Sequence, residues 1–421
     1  MTQPKPEPAP ARGMDSADRS LGPLIPFAAL SGAYFAHIGF FNPYLTLWLK
    51  DLGLPLVVIS LVVAAQPFTR VFAPYIWGLI SDRTGHRVRL LRFSAVAAVL
   101  VTLGLFVEGG AAWLAAVLFV LFVLTSSMMG LTEAAMAHVV AGDWGRYGRV
   151  RLWGSAGFLV TVFLAGAWFE RFGMHHFPGW AVATLVGVAA CTFWLPKFHD
   201  QPTAGARIHA PIAPVLRQPV VAWFFVALFF HVMAHMAIYA YLSLFLDDRG
   251  YSKTAIGALW ALSVLAEIAW FFWQGKFIGS RPMSWWLLVC AWATVIRMAL
   301  TGGLPDWWPA LVIGQLLHAL TFAGHHTACV AMVTRHFSGS LRARGQALFT
   351  AAGYGLGGVI GVVAGGTLVE VMGYEGLFAA ATLLALAATA SAWQLRRLER
   401  RLEAPWVPAE AADPPARPSG G

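Results

Sequence analysis

Apolar residues run along this chain in blocks of about 20, the length at which a helix crosses ~30 Å of hydrocarbon. Short polar or Pro/Gly-containing stretches separate the blocks. They predict twelve membrane-spanning helices, at 24–49, 56–80, 88–107, 111–137, 149–169, 178–195, 219–246, 254–278, 284–302, 307–333, 345–369 and 374–395. An even number of spans puts both termini on one side. The expected fold class is an all-α membrane protein.

The ends and the middle differ in character. Residues 1–20 are rich in Pro, Ala and charge, and read as a disordered arm without the features of a cleaved leader. Residues 404–421 are similar. A polar, basic connection at 197–217 divides the spans into six and six. The expected organisation is an arm (1–20), a six-helix bundle (21–196), the central loop (197–217), a second bundle (218–397) and a tail (398–421).

The two sets of spans echo each other. RYGRVRLWGSAGF (146–158) opens the fifth span and RARGQALFTAAGY (342–354) the eleventh. At an offset of 196 residues Arg146 meets Arg342, Gly157 meets Gly353 and Phe158 meets Tyr354. Two six-helix pseudo-repeats enclosing a site at the bilayer midplane is a transporter plan. Glycines 353, 355, 357, 358, 361, 365 and 366 crowd the eleventh span, where small residues let helices pack closely.

Composition agrees: 58% of the chain is hydrophobic and 12% charged, against ~25% charged in a soluble domain. The net charge of +9 could suggest nucleic acid. Its distribution does not, because most Lys and Arg fall in the termini and even-numbered connections. The odd-numbered ones hold only Lys50, Arg171, Arg249 and Lys253. That bias predicts cytoplasmic termini and a bacterial inner (cytoplasmic) membrane, with the lipid bilayer as partner. The three cysteines, Cys191, Cys290 and Cys329, lie in apolar spans as free thiols. No metal or other cofactor is expected.

Five ionisable residues stand inside the spans: Arg70, Glu133, Arg151, Glu267 and Arg297. Each costs at least ~2.5 kcal/mol there and is a functional candidate. His37, His231, His235, His318, His325 and His326 add titratable groups. Residues equally far from the centre of a short loop share a depth. Glu133 and Arg151 are each nine residues from their turn. By the same count Glu267, Arg297 and His318 fall in one layer near the midplane. Either set can be a structural ion bridge, or a substrate- and proton-binding device whose pairing changes during transport. His231 and His235 share a helix face but lack a third ligand. Aromatic side chains of span one (Tyr34, Phe40, Phe41, Tyr44) and span eight (Trp260, Trp270, Trp273) are candidate linings for a ring-shaped ligand.

GLISDRTGHR (78–87), between spans two and three, resembles the loop signature of the major facilitator superfamily. Gly78 is expected to allow close packing, Asp82 to cap and pair across the bundle, Gly85 to turn, and Arg83 and Arg87 to face the cytoplasm. The resemblance implies that this motif holds the inner gate. YGRVRLWGSAGF (147–158), span one and RGQALFTAAGYGLGG (344–358) resemble the proton-symporter branch that contains 3-phenylpropionate, lactose and nucleoside permeases. It implies substrate binding by Glu133 and Arg151, and proton coupling by Glu267, Arg297 and a span-ten histidine, His318 or His325. One departure is that 307–333 holds no acidic residue.

The combined expectation is a proton-coupled symporter, a functional monomer, importing a small organic solute. An aromatic carboxylate such as 3-phenylpropionate comes first, with Tyr34, His37 and Trp270 as further binding candidates. Saccharide or nucleoside symport and drug–proton efflux are the alternatives. A membrane enzyme would need a nucleophile or metal set, and a receptor a soluble signalling domain; neither is evident.

Overall fold

A computed structural model describes residues 24–126, 128–140, 144–196, 211–338 and 341–403, without the side chains of 82, 134, 137–140, 144–149 and 403. It is built of helices. Spans one to three are α1 (Ile25–Asp51), α2 (Leu56–Thr84) and α3 (Arg87–Thr102, extended by a 3-10 turn to Phe106). Span four is α4 (Gly110–Thr125) with α5 (Met128–Val140), span five α6 (Trp144–Phe172) and span six α7 (Phe177–Trp194). After the short α8 (Ala213–Leu216), spans seven to nine are α9 (Pro219–Asp248), α10 (Lys253–Trp273) and α11 (Met283–Gly303). Span ten joins α12 (Trp308–Leu316) to α13 (His325–His336) through a π-helical turn at Ala319–Gly324. Spans eleven and twelve are α14 (Arg342–Phe349), a π-helical turn (Thr350–Gly357) and α15 (Gly358–Glu403).

Among the described residues, ten stretches are long and apolar enough to cross a membrane. The last, Arg342–Leu402, runs for 61 residues, too long for one crossing. Gly373 divides it, with φ 72° and ψ 179°, a conformation open to a residue without Cβ. With α1 this makes the twelve spans expected from hydropathy.

The first and last six spans meet along two helix pairs, α6 with α10 and α2 with α15. Glycines set their approach. A Cβ on Gly257 would lie 2.7 Å from the Val162 carbonyl oxygen, and one on Gly358 2.7 Å from Pro67 Cβ. At the end that bears the odd-numbered connections, a tyrosine fastens each pair. Tyr44 of α1 shares its O–H between the carbonyls of Val162 (2.9 Å) and Lys253 (3.2 Å). Tyr241 of α9 bonds Ser60 Oγ of α2 (2.9 Å) and the Val362 carbonyl of α15. Lys50 pairs with Asp247 across the same end at 2.8 Å. Tyr44 and Tyr241 are 0% and 1% exposed, so the structure puts Tyr44 in this closure and not in a cavity wall.

Candidate functional site

Arg297 is buried on α11 with 0% exposure, and its guanidinium is met by span ten. Its Nη1 donates to His318 Nδ1 (3.0 Å) and Thr321 Oγ1 (2.9 Å), and its Nη2 to Gln315 Oε1 (3.2 Å). Ser263 of α10 donates to the same Gln315 oxygen at 2.7 Å. Because arginine has no acceptor, His318 Nδ1 must accept, which leaves the ring proton on Nε2. That nitrogen lies 3.6 Å from Glu267 Oε2, an ion-pair distance that a small movement turns into a hydrogen bond. Glu267 and Arg297 thus share the layer expected of them, with His318 standing between.

The second span-ten candidate lies elsewhere. His325 stacks on His231 with ring centroids 3.5 Å apart and touches Cys329 Sγ. His231 stacks in turn on His235 at 4.5 Å and donates from Nε2 to the Thr321 carbonyl at 2.9 Å. The π turn therefore gives Thr321 two tasks, its hydroxyl on Arg297 and its carbonyl on His231. Such turns recur at functional sites. Among the described residues, no grouping of His, Cys, Asp or Glu could hold a metal ion.

In the first six spans, Arg151 Nη1 bonds Glu133 Oε1 at 3.1 Å, the pairing their equal depth predicts. The Arg151 guanidinium also lies 5.2 Å from the Phe35 ring centroid. Beside this pair, α1, α2 and α4 enclose a pocket with ≈ 580 Å³ of empty space, part of it continuous with solvent. Tyr34, His37, Phe41, Asn42, Gln66 and Arg70 are among its walls. His37 Nδ1 bonds Thr184 Oγ1 at 3.0 Å, and Gln66 Nε2 donates to Asn42 Oδ1 at 3.0 Å.

Tyr34 is within electrostatic reach of Arg70, Glu133 and Arg151. Tyr239 of α9 is within reach of Arg297, Glu267 and Arg70, and His326 of Glu267 and Arg151. Charges from both sets of spans thus act on common side chains.

Other expected residues fall outside this group. Trp270 bonds Gln274 at 2.9 Å and packs edge-on to Phe277 and Trp286, away from Tyr34 and His37. Phe40 packs on Phe177 and Trp180, and Trp260 bonds Ser243 at 3.0 Å. In the loop motif, Gly85 makes its turn with φ 65° and caps α2 through Ser81. Arg83 is exposed and Arg87 half-buried; the side chain of Asp82 lies outside the described residues. The close packing expected at Gly78 is corrected: a Cβ there would meet nothing within 4 Å, since the closure lies at the opposite end of the spans.

Sequence reading passed over Gln315, Thr321 and Ser263, which are neutral. Gln315 and Thr321 stand three residues either side of His318, the spacing of one helix face. It passed over Asn42 and Gln66 as well, and found no partner for Arg70.

The family model described as "MFS_1 like family" matches residues 29–380. A protein of Escherichia coli (strain K12) named "Probable 3-phenylpropionic acid transporter" is 30% identical over 370 residues, 84% of this chain and 93% of its own length. The maltose permease of Geobacillus stearothermophilus is 23% identical over 338 residues, covering 80% and 85%. A mutant of the nucleoside transporter NupG superposes with a TM-score of 0.77 at 14% identity, over 89% of this chain and 99% of that one. The chain therefore belongs to the MFS_1-like family, and is a multi-pass membrane transporter of major facilitator type and not an enzyme.

Proposed function

We propose that this transporter is a proton-coupled symporter of the bacterial cytoplasmic membrane, with cytoplasmic termini, that imports a small aromatic carboxylate of the 3-phenylpropionate type by alternating access. The observation that carries the proposal is the chain Glu267–His318–Arg297, in which buried His318 and Arg297 meet a partly exposed Glu267. The relative at 30% identity supports the solute class. With the odd-numbered connections outside, the tyrosine-fastened end is the outer gate and the site communicates with the cytoplasm.

In this reading Glu267 takes a proton from outside and gives it up inside. While it is ionised, the Nε2–H of His318 is drawn toward it, and Nδ1 holds Arg297 in place. Once Glu267 is protonated, that attraction is lost and the Arg297 shell is free to shift. Glu133 and Arg151 contact the solute from the other side. Phe41 and Tyr34 offer ring contacts.

The test is uptake of labelled 3-phenylpropionate into proteoliposomes under an inward proton gradient. Accumulation is expected in the wild type. Glu267→Gln should abolish gradient-driven accumulation while solute exchange persists. Equal accumulation with and without the gradient would remove the proton from the mechanism. Saccharide symport is a second reading, favoured by the maltose permease relative and by the Asn42–Gln66 amide pair in the pocket wall. Competition by maltose but not by aromatic acids would select it.

A further inference from the structure

We propose that Arg70 is the anchor for the substrate's carboxylate, in the pocket enclosed by α1, α2 and α4; the inference rests on the permease reading above. Three arginines stand at membrane depth, and two are already engaged. Arg151 is paired with Glu133, and Arg297 donates through both Nη atoms to His318, Thr321 and Gln315, with Nε alone unpartnered among the described residues. An incoming anion would have to displace those partners.

Arg70 differs in every respect. It stands at the midpoint of α2, is exposed, and among the described residues has no carboxylate within ion-pair distance and no hydrogen-bond partner. A bare guanidinium at this depth is costly, and an arriving anion offsets the cost. Its surroundings are those of a built site. On the polar side lies the Asn42–Gln66 pair, held at 3.0 Å, whose remaining amide donors and acceptors are available to a solute. On the apolar side lie Phe41 and Phe122, their rings 6.1 Å apart and edge to face. One end accepts a planar anion in a bidentate fork, and the other accepts a ring.

Arg70 is also within electrostatic reach of Tyr239 and Tyr354, which belong to the last six spans. An anion bound to it therefore changes the field felt across the interface between the two sets of helices. That gives the solute a way to influence how the sets close.

The experiment measures binding of two probes to the purified full-length protein: 3-phenylpropionate and its uncharged amide, 3-phenylpropionamide. Wild type is expected to prefer the acid. Arg70→Gln should weaken acid binding by about tenfold or more while leaving amide binding unchanged, since one charge-assisted contact is lost. Arg70→Lys should keep part of the preference through a point charge without the fork. An Arg70→Gln protein that retains the wild-type acid-to-amide ratio overturns the anchor and leaves the permease reading standing. Wild-type protein that binds neither probe overturns both. Should Arg70→Gln fail to fold, Phe122→Trp narrows the same pocket without touching a charge. Unchanged acid affinity in that variant overturns the assignment equally.

Discussion

Arg297 shows how a charge is kept inside this protein. Its neighbours are neutral acceptors, and His318, Thr321 and Gln315 take the place of water around its two Nη atoms. Gln315 Oε1 accepts from two donors at once, Arg297 and Ser263. Gln315→Leu fills nearly the same volume but strands both donors. The expected loss is about 1–3 kcal/mol, read as a lower Tm of the purified protein, with Gln315→Glu close to wild type because an acceptor remains. A Gln315→Leu protein that melts with the wild type would show that Arg297 is held by other means. Glu267, Arg297 and His318 were legible because ions are conspicuous in an apolar run and loop symmetry gives their depth. Gln315 and Thr321 were not, because a neutral polar residue in a long helix has many ordinary explanations. Arg70 was visible as a charge; its setting was not, since Asn42 comes from another helix.

At the scale of the element, the glycines of span eleven divide into two sets. Gly353, Gly357, Gly361 and Gly365, spaced by four, face α9; Gly355, Gly358 and Gly366 face α2. One face packs within the last six spans, and the other lies against the moving partner. The Pro67 ring cannot swing away as a flexible side chain would. Gly358→Val is therefore expected to force α2 and span eleven apart and to abolish uptake, although the protein should still insert. Gly179→Ala is the control, since nothing lies within 4 Å of a Cβ there and helix propensity favours Ala. Uptake by Gly358→Val at the wild-type rate would show that the two helices need not approach. Hydropathy revealed the spans because each must cover a fixed thickness of hydrocarbon. It did not reveal the π turns at Ala319–Gly324 and Thr350–Gly357, because one extra residue per turn leaves mean hydropathy unchanged. Nor did it show which glycines face which helix, for that depends on rotation about the axis, not on composition.

For the whole molecule, the internal repeat has a mechanical meaning. Tyr44 and Tyr241 stand in span one and span seven, the first of each set. Each lies beside a helix pair that joins the two sets, and each bonds both members of its pair. Lys50 and Asp247 add an ion pair at the same end, partly exposed and worth at most ~1 kcal/mol. Tyrosine O–H groups buried in the interface contribute a comparable amount each, about 0.6–1 kcal/mol. The two fastenings touch different helix pairs, so their losses should add. Tyr44→Phe with Tyr241→Phe keeps both rings in their glycine notches and removes only the oxygens. Together they should shift the balance by roughly 8–30-fold away from the state closed at this end. Spin labels at Leu52 and Leu304 can report it, both exposed at this end and on opposite sides of the interface. The three native cysteines must first be replaced, which the lack of any disulfide permits. The distance distribution should gain a longer component in each single variant and more of it in the double. If the distribution stays single and short in the double variant, the oxygens do not hold the gate. The closure would then rest on the Lys50–Asp247 pair and the packing of Gly166, Gly257 and Gly366, and bulky substitutions at those glycines would be the place to look for the open state.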